Sequence, residues 1–425
     1  MLTILHTGDF HLGKIFYEYS LIEDQAFMLT SLKAELEKCR YDALVISGDI
    51  YDRAVPPSEA VQLFSGFLSE LHALFPELPV CIISGNHDSA ARLGFGAELL
   101  RNENIHICTE EENCTQPVIL KNASGKAEAA LYLLPFLRSG SLTSEDGTVL
   151  RSQQDLAQEA VRRIKAAHEE LQKSDEAYKN LAPLLACHVF TTGVRDAGSE
   201  RVFAGNAELI DSSLFDFFAY TAAGHIHKMQ KIGERLYYSG SPLAYSFDEA
   251  GKEKCFLKVE FDGGQSGAHS GQSGTHSGQP TFDARGALTV TALPVKSLRR
   301  VVKISGNFEE LCRGSEYAQY ANDYVECTYT DPVIAENAVV RLREKFPLLL
   351  SVKQNAFDAA QTERSANAEK KKRLLENESG LPLKEILYAF LADSGVTSEG
   401  DDADWQSAVD LFIKIDGEAK IDETA

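Results

Sequence analysis

Five apolar, strand-like runs in the first 230 residues are each followed directly by Asp, Asn or His. The clearest run is Val80-Cys81-Ile82-Ile83, which leads into Gly85-Asn86-His87-Asp88. In the segments between the first runs, 20–39 and 58–75, apolar residues recur with a helical period. This alternation predicts βαβ units with buried parallel strands, whose carboxyl ends meet at one edge of the sheet. The sequence therefore favours an α/β fold with a polar site at that edge.

The residues that follow these runs are types that bind metal ions. His225 and His227 are two positions apart, so both rings point to the same side of an extended segment. Mixed carboxylate, imidazole and carboxamide ligands suit Mn²⁺, Fe or Zn²⁺ better than Ca²⁺ or Mg²⁺. Seven ligands are too many for one ion, whereas two ions that share Asp49 would each receive four. The candidate ligands are Asp9, His11, Asp49, Asn86, His188, His225 and His227.

A pair of adjacent divalent ions activates a water molecule for in-line attack on phosphorus, so phosphate ester hydrolysis is the expected reaction. His87 is next to Asn86 but is not needed as a ligand. It is predicted to protonate the leaving alkoxide or to stabilise the transition-state charge. Each motif alone has an ordinary explanation: His188 could be a buried core histidine, and Asp52 could orient a ligand or cap a turn. Their joint occurrence at strand ends favours the metal site.

Composition narrows the class of protein further. The N-terminus has no signal-peptide pattern and no apolar run reaches 18 residues, so a cytoplasmic protein is expected. The net charge of −21 argues against nucleic-acid binding by bulk electrostatics, although cations in a carboxylate site would reverse the local field. The eight cysteines are scattered without a C-x-x-C pair and are predicted to be mostly buried free thiols.

The character of the chain changes after residue 297. Segment 297–355 alternates strand and helix patterns, with helical segments at 308–320 and 334–345, and predicts a small α+β unit. Segment 360–378 is charged and polar like a solvated linker. Two apolar stripes follow, and their helices either pack on the protein's own core or bind a partner helix. A repeated seven-residue Gly/Ser/His unit at 264–277 is interpreted as a flexible loop rather than a metal store. The stripes contain Leu383, Ile386, Leu387, Phe390 and Leu391, then Trp405, Val409, Phe412 and Ile415.

Several motifs carry a resemblance to known proteins. Gly8-Asp9-Phe10-His11, Gly48-Asp49-Ile50-Tyr51-Asp52, Gly85-Asn86-His87-Asp88 and Gly224-His225-Ile226-His227 resemble those of the calcineurin-like metallophosphoesterase superfamily. Within it, the chain is similar to the bacterial SbcD family of Mre-type DNA repair nucleases. That similarity rests on Asp9 to Lys14, Ser199-Glu200-Arg201, Gly224 to Lys228 and Tyr238-Ser239-Gly240-Ser241-Pro242. It weakens at 264–277 and after 360.

The resemblance implies an α/β (α+β) fold: a four-layer αββα sandwich with a small α+β capping domain and C-terminal helices. It implies a nuclease domain at 1–296 with a flexible loop at 262–280, and a DNA-capping domain at 297–358. A charged linker at 359–379 and a helical partner-binding segment at 380–425 would follow. One Mn²⁺ would be held by Asp9, His11, Asp49 and His227, the other by Asp49, Asn86, His188 and His225, with His87 as the catalytic histidine.

The same resemblance implies activity and partners. The family cleaves double-stranded DNA ends as an ATP-dependent exonuclease, and cleaves single strands and hairpins as an endonuclease, in repair, recombination and replication. ATP would be used by an SbcC-type, SMC-like ATPase partner, and a homodimer within a heterotetramer is expected. Related nucleases of archaea and eukaryotes have His at the position of Asp52, although Asp is usual in the bacterial branch, so the role of Asp52 stays open. The role of Asp88 also stays open, and orienting its neighbours is one alternative.

Two other functions fit parts of the sequence. A phosphodiesterase or phosphatase acting on a nucleotide or phosphoprotein would need the site but not the C-terminal third. A non-catalytic scaffold for an ATPase would not need the complete ligand set with His87. DNA contacts from this chain would require local basic segments. The basic residues of such a segment could instead form a solvated face of a strand. The basic candidates are Lys296, Arg299, Arg300 and Lys303.

Overall fold

The structure is a computed structural model that describes residues 1–195, 209–263, 281–283 and 286–354. The chain divides into two compact units. The first comprises Met1–Lys303, Gln319–Glu326 and Phe346–Leu350, and the second contains the remaining described residues from Ile304 onward. The motif Ser199-Glu200-Arg201, most of the loop 262–280 with the repeat 264–277, the linker and the segment 380–425 lie outside the described residues.

Twenty strands and seven α-helices are present in the described part of the chain. The strands are β1 (Leu2–Thr7), β2 (Ile15–Phe16), β3 (Tyr19–Ser20), β4 (Ala43–Ile46), β5 (Val80–Ile83), β6 (Ile105–Cys108), β7 (Val118–Lys121), β8 (Ala127–Leu134), β9 (Ala182–His188), β10 (Phe190–Thr191), β11 (Leu209–Ile210), β12 (Tyr220–Gly224), β13 (Gln230–Ile232), β14 (Leu236–Tyr238), β15 (Cys255–Asp262), β16 (Thr281–Asp283), β17 (Gly286–Pro294), β18 (Val301–Gly306), β19 (Tyr324–Tyr329) and β20 (Leu349–Gln354). The helices are α1 (Ile22–Leu36), α2 (Ser58–Leu74), α3 (Ala90–Leu93), α4 (Ala97–Arg101), α5 (Gln153–Ser174), α6 (Phe308–Arg313) and α7 (Ala338–Arg343).

Two large mixed sheets form the first unit. One has the order β16-β17-β15-β1-β4-β5-β6, with β1, β4, β5 and β6 parallel, as the βαβ pattern predicts. The other has the order β13-β14-β12-β9-β8-β7 and is parallel from β8 to β14. The strand-like runs at 256–261 and 288–293, which follow those after residue 181, predict that β15 and β17 belong to a mixed second sheet, and this is wrong. β15 pairs antiparallel with β1 in the first sheet and with β17 on its other side. The prediction fails because the apolar pattern of a strand does not specify which strand lies next to it.

The side chains of these sheets alternate between two cores. In β4, Leu44 and Ile46 pack against helices α1 and α2, whereas Val45 faces the second sheet. The inner core joins residues of the first sheet, such as Ile4, to residues of the second, such as Leu184. Helix α5 covers the outer face of the second sheet with a buried stripe that includes Ile164. The order helix, sheet, sheet, helix confirms the predicted four-layer sandwich.

A smaller sheet has the order β18-β19-β20. The helical segment predicted at 308–320 is interrupted at Gly314, so that α6 is followed by a 3₁₀ turn over Ser315–Tyr320. Helix α7 is shorter than the segment 334–345 that its pattern predicts. The strand and helix types of the predicted α+β unit are therefore present, and its boundaries as a capping domain stay a prediction.

The described helices include none with the length and apolar character needed to cross a lipid bilayer. All eight cysteines lie in the described residues and are free, as predicted, and six of them are buried.

Candidate metal centre

The carboxyl ends of five strands from the two sheets meet at one point. Strands β1, β4 and β5 lead into Asp9 with His11, Asp49, and Asn86 with His87, while β9 ends at His188 and β12 leads into His225 and His227. All seven predicted ligands are brought together there. Six are buried and Asn86 is exposed, so the cluster faces solvent on the side of Asn86 and the half-buried His87.

The backbone of this cluster is strained at four of its candidate ligands. Asp9, His11, Asp49 and His225 have positive φ angles of 52°, 45°, 48° and 99°. Such conformations cost about 1–3 kcal/mol each for residues other than glycine and occur mainly at functional sites. Two backbone hydrogen bonds hold the first loop on the second, from Asp9 N to Gly48 O at 3.0 Å and from His11 N to Asp49 O at 2.9 Å.

Two glycines allow the strand-end loops to approach each other. A Cβ atom on Gly85 would lie 2.1 Å from Asp49 Oδ1, and one on Gly224 would lie 1.9 Å from Ser47 O. No side chain can occupy either position without displacing the loops. The glycines of the GNHD and GHIH motifs are therefore required by the spacing of the cluster.

One group of candidate ligands consists of Asp9, His11, Asp49 and His227. His11 Nε2 lies 3.1 Å from His227 Nε2 and 3.6 Å from Asp49 Oδ2. Asp9 Oδ1 accepts a hydrogen bond from His225 N at 2.9 Å, but Asp9 Oδ2 is buried without a hydrogen-bond partner among the described residues. A buried carboxylate oxygen without a partner is costly, and a cation at this point would satisfy it.

The other group consists of Asp49, Asn86, His188 and His225. Asn86 Oδ1 lies 2.9 Å from His188 Nε2 and 3.0 Å from His225 Nδ1. Asp49 Oδ2 lies 3.4 Å from His188 Nε2, close to its distance from His11 Nε2 in the first group. One carboxylate oxygen therefore faces both groups, which is the arrangement expected of a ligand shared by two ions.

The pKa shifts in the cluster differ in their effect on cation binding. Burial lowers the pKa of His11 to about 4 and that of His225 to about 3, so each keeps a lone pair for a metal at neutral pH. Burial raises the pKa of Asp9 to about 6. For His188, burial acts to lower the pKa, but the charge of Asp49 raises it to about 9. A proton on His188 and a metal ion beside Asp49 would therefore compete for the same place.

His87 is held beside the cluster by both its backbone and its ring. Its amide donates to Asp49 Oδ1 at 2.9 Å, and its Nδ1 lies 2.8 Å from the backbone oxygen of Asp52, to which it donates. The His87 ring lies edge-on to His11, with centroids 4.8 Å apart. Since Nδ1 is committed to a carbonyl, Nε2 is the ring nitrogen left for a substrate.

The sequence left the role of Asp88 open, and the structure gives it one. Its carboxylate accepts backbone hydrogen bonds from Gly85 N at 2.9 Å, Ile50 N at 3.0 Å and Tyr51 N at 2.9 Å. Asp88 therefore cross-links the loop after β5 to the loop after β4. It fixes the relative positions of Asp49 and Asn86.

Two carboxylates lie behind the histidines of the first group, and sequence reasoning identified only one of them. Asp52 Oδ1 is 3.5 Å from His11 Nδ1, and Glu249 Oε1 is 3.3 Å from His227 Nδ1. Glu249 was missed because it ends a one-turn 3₁₀ helix, Phe247–Glu249, and belongs to no ligand motif. The only available signal was its position shortly after Ser239-Gly240-Ser241-Pro242.

The residues present fit divalent metal ions. Imidazole nitrogens face each other at 3.1 Å, a spacing typical of two ligands on one metal ion, and the buried Asp9 Oδ2 lacks a partner among the described residues. The possible ligand atoms of Asp9, Asp49 and His188 converge in this cluster, and all three belong to the predicted ligand set. Those of His11, Asp52 and His87 also converge, but only His11 of these three is a predicted ligand.

Comparisons with known proteins identify the family of the chain. The chain is similar to the SbcD subunit of the SbcCD nuclease from Staphylococcus epidermidis, with 28% identity over 359 residues that span 84% of this chain and 86% of that protein. A solved dimetal phosphatase from Danio rerio matches 61% of this chain and 92% of its own, with 12% identity and a TM-score of 0.35. The family model for calcineurin-like phosphoesterases matches residues 2–229, more than half of the 425 residues. The chain therefore belongs to the calcineurin-like phosphoesterase family.

Proposed function

We propose that this protein is the nuclease component of an SbcCD-type complex and hydrolyses DNA phosphodiester bonds with two divalent metal ions, of which Mn²⁺ is the favoured kind. The observation that carries the proposal is the double ligand cluster around Asp49 Oδ2, with the unpartnered Asp9 Oδ2 in one half. The similarity to an SbcD nuclease over 84% of the chain supports the choice of substrate.

The proposed division of the ligands between the two ions is the one that the resemblance to the SbcD family implies. Asp9, His11, Asp49 and His227 would hold one ion, and Asp49, Asn86, His188 and His225 the other. When bound, the ions supply Lewis-acid activation of water and stabilise charge on the phosphoryl oxygens. The protein's part is to hold the ligands in place, and the strained loops with their Asp88 cross-link do this before any substrate arrives.

His87 is proposed as the proton donor to the leaving alkoxide. Its Nδ1–H is held by the Asp52 carbonyl at 2.8 Å, so the ring cannot turn without losing that hydrogen bond. The Nε2–H of the protonated ring is then the group that can protonate the departing oxygen. Its half-buried position beside exposed Asn86 places it at the solvent side of the cluster, where DNA would approach.

The wider assembly follows from the same proposal. An SbcC-type, SMC-like ATPase would use ATP and supply basic surface for DNA, since this chain has a net charge of −21. The expected reactions are ATP-dependent exonuclease action on double-strand ends and endonuclease action on single strands and hairpins, within a homodimer-containing heterotetramer. Segment 297–358 is proposed to cap the DNA, and 380–425 to bind the ATPase.

The test uses the full chain purified with and without the ATPase. Linear duplex, hairpin DNA and bis-p-nitrophenyl phosphate are incubated with Mn²⁺ and then with chelator. We expect chelator-sensitive cleavage of all three, with duplex cleavage dependent on the partner and ATP. Hydrolysis of bis-p-nitrophenyl phosphate without any DNA cleavage, even in the complex, would instead identify a phosphodiesterase for small substrates. No hydrolysis of any substrate would identify a scaffold.

A further inference from the structure

The two ligand groups differ in what lies behind their histidines. In the group around Asp9, both histidines have a carboxylate at the ring nitrogen that faces away from the cluster. Glu249 Oε1 is 3.3 Å from His227 Nδ1, within a hydrogen bond, whereas Asp52 Oδ1 approaches His11 Nδ1 to 3.5 Å without a hydrogen bond. Glu249 therefore makes the stronger of the two contacts. The Nε2 atoms of the two rings consequently face each other at 3.1 Å.

Each of these carboxylates is in turn held by a lysine. Lys14 Nζ lies 2.7 Å from Asp52 Oδ1, and Lys254 Nζ donates to Glu249 Oε2. Lys254 also donates to the backbone oxygen of His227 at 3.0 Å and to Ser241 Oγ at 2.8 Å. The Glu249 side chain is 5% exposed and that of Lys254 is 11% exposed. Neither group can turn to solvent, so the orientation of Glu249 is fixed.

His188, in the other group, has a neutral partner. Its Nδ1 lies 2.9 Å from the backbone oxygen of Ser47 and donates to it. His225 directs Nδ1 toward the candidate ligand Asn86 at 3.0 Å. A carboxylate behind a ligating imidazole makes the ring a stronger electron donor than a carbonyl does, and loss of such a partner typically lowers metal affinity about 10–100-fold.

We propose that the pairs Glu249–Lys254 and Asp52–Lys14 are positioning pairs that fix His227 and His11 for metal binding. They make the metal position at Asp9, His11 and His227 the tighter of the two. This inference rests on the metal centre of the proposed function and adds an order of filling to it. At limiting metal the Asp9 position is occupied first, and the His188 position is filled only at higher concentration. Glu249 and Lys254 touch neither metal nor substrate and act through His227.

The test is a Mn²⁺ titration of the full chain after chelator treatment, followed by electron paramagnetic resonance and calorimetry. We expect two unequal sites in the wild-type protein. Glu249→Gln keeps the side-chain shape but removes the charge, and it should weaken the tighter site about 10–100-fold while the weaker site stays the same. Glu260→Gln is the matched control, because Glu260 pairs with Lys258 on strand β15, away from the ligands.

A second measurement separates positioning from folding. In chain labelled with ¹⁵N-histidine, Glu249→Gln should change the signals of the His227 ring, whereas Glu260→Gln should not. Asp52→Asn should likewise weaken only the tighter site. Equal affinity of Glu249→Gln and wild type at both sites would overturn the inference and leave the metal centre intact. A wild-type chain that binds no Mn²⁺ would overturn the metal centre itself. A Glu249→Gln protein that loses its cooperative thermal transition would identify Glu249 as structural and overturn the inference.

Discussion

Two polar regions of the first unit satisfy their charged groups in opposite ways. At the strand-end cluster, Asp9 Oδ2 is buried without a hydrogen-bond partner in the described part of the chain, and four candidate ligands have strained backbones. In the basic segment 296–303, Arg299 forms ion pairs with Glu23 at 2.6 Å and with the buried Asp24 at 2.8 Å. The cluster therefore contains a buried oxygen without a hydrogen-bond partner among the described residues, whereas Arg299 has two carboxylate partners.

The same holds for the neighbours of Arg299. Arg300 Nη2 lies 2.6 Å from Asp323 Oδ2, and Lys303 Nζ lies 3.3 Å from Asp248 Oδ1. Of the four basic residues predicted to contact DNA or form a solvated face, these three have carboxylate partners within the protein, and Lys296 is exposed. A cation that already has a carboxylate partner gains less from a phosphate than a free one would.

This contrast separates residues that serve function from residues that serve the fold. Strain and an unsatisfied buried oxygen reduce stability, so they persist where binding of a ligand offsets them. Satisfied ion pairs mark residues that hold the fold. On this reasoning, substitutions at the cluster should change metal content and catalysis with little loss of stability, and substitutions in the basic segment should do the reverse.

The largest effect is expected for Asp49→Asn, because Asp49 Oδ2 faces both ligand groups. The variant should lose most bound Mn²⁺ and all measurable hydrolysis of bis-p-nitrophenyl phosphate, while retaining its thermal transition. Metal content by mass spectrometry and a melting curve check this. Full metal content in Asp49→Asn would remove the shared ligand from the proposal.

His87→Ala should lower the hydrolysis rate by about 10²–10⁴-fold, the usual contribution of a general acid. Metal content should stay at the wild-type level, since His87 is not among the proposed ligands. His72→Ala is the control, because His72 pairs with Glu103 on the surface and lies on helix α2. A loss of metal from His87→Ala would show that His87 belongs to the ligand set.

The apparent affinity for Mn²⁺ should rise with pH between about 7 and 9. His188 has its pKa raised to about 9 by the charge of Asp49 against the effect of burial, so metal must displace a proton from it below that pH. One displaced proton corresponds to about a tenfold increase in affinity per pH unit, and the increase should end above pH 9. Calorimetry in buffers of different ionisation enthalpy measures the released proton. A flat profile over this range would mean that His188 does not lose a proton on binding.

The smallest effect on function is expected in the basic segment. Arg299→Ala leaves the buried Asp24 without this cation and should lower the free energy of unfolding by about 1–3 kcal/mol. DNA affinity of the complex and its salt dependence should not change. Urea unfolding and DNA binding at several salt concentrations test both statements, with Lys303→Ala as a control on a more exposed pair. If the salt dependence of DNA binding by Arg299→Ala were reduced by about one phosphate contact, Arg299 would be a DNA-binding residue and the contrast with the cluster would be wrong.

Much of the candidate site could be predicted because its signal is local. Each candidate ligand follows a short apolar run, and parallel strands carry such residues to a common edge whichever neighbour each strand has. Asp52 and Asp88 were visible in the same motifs, but their roles were not. The role of Asp88 depends on hydrogen bonds to Ile50 and Tyr51, 37 or 38 positions away, and no pattern within the GNHD motif encodes them.

The strand and helix types of the sandwich, the seven candidate ligands and His87 could all be predicted from the sequence, because hydrophobic period and strand-end chemistry are local properties. That β15 and β17 extend the first sheet, and that Glu249 lies behind His227, became known from the three-dimensional structure. Both features depend on which distant segments of the chain come into contact. Packing over the whole core supplies the free energy that favours these contacts over others. The same long-range packing pairs the arginines of segment 296–303 with carboxylates and leaves Asp9 Oδ2 unsatisfied among the described residues.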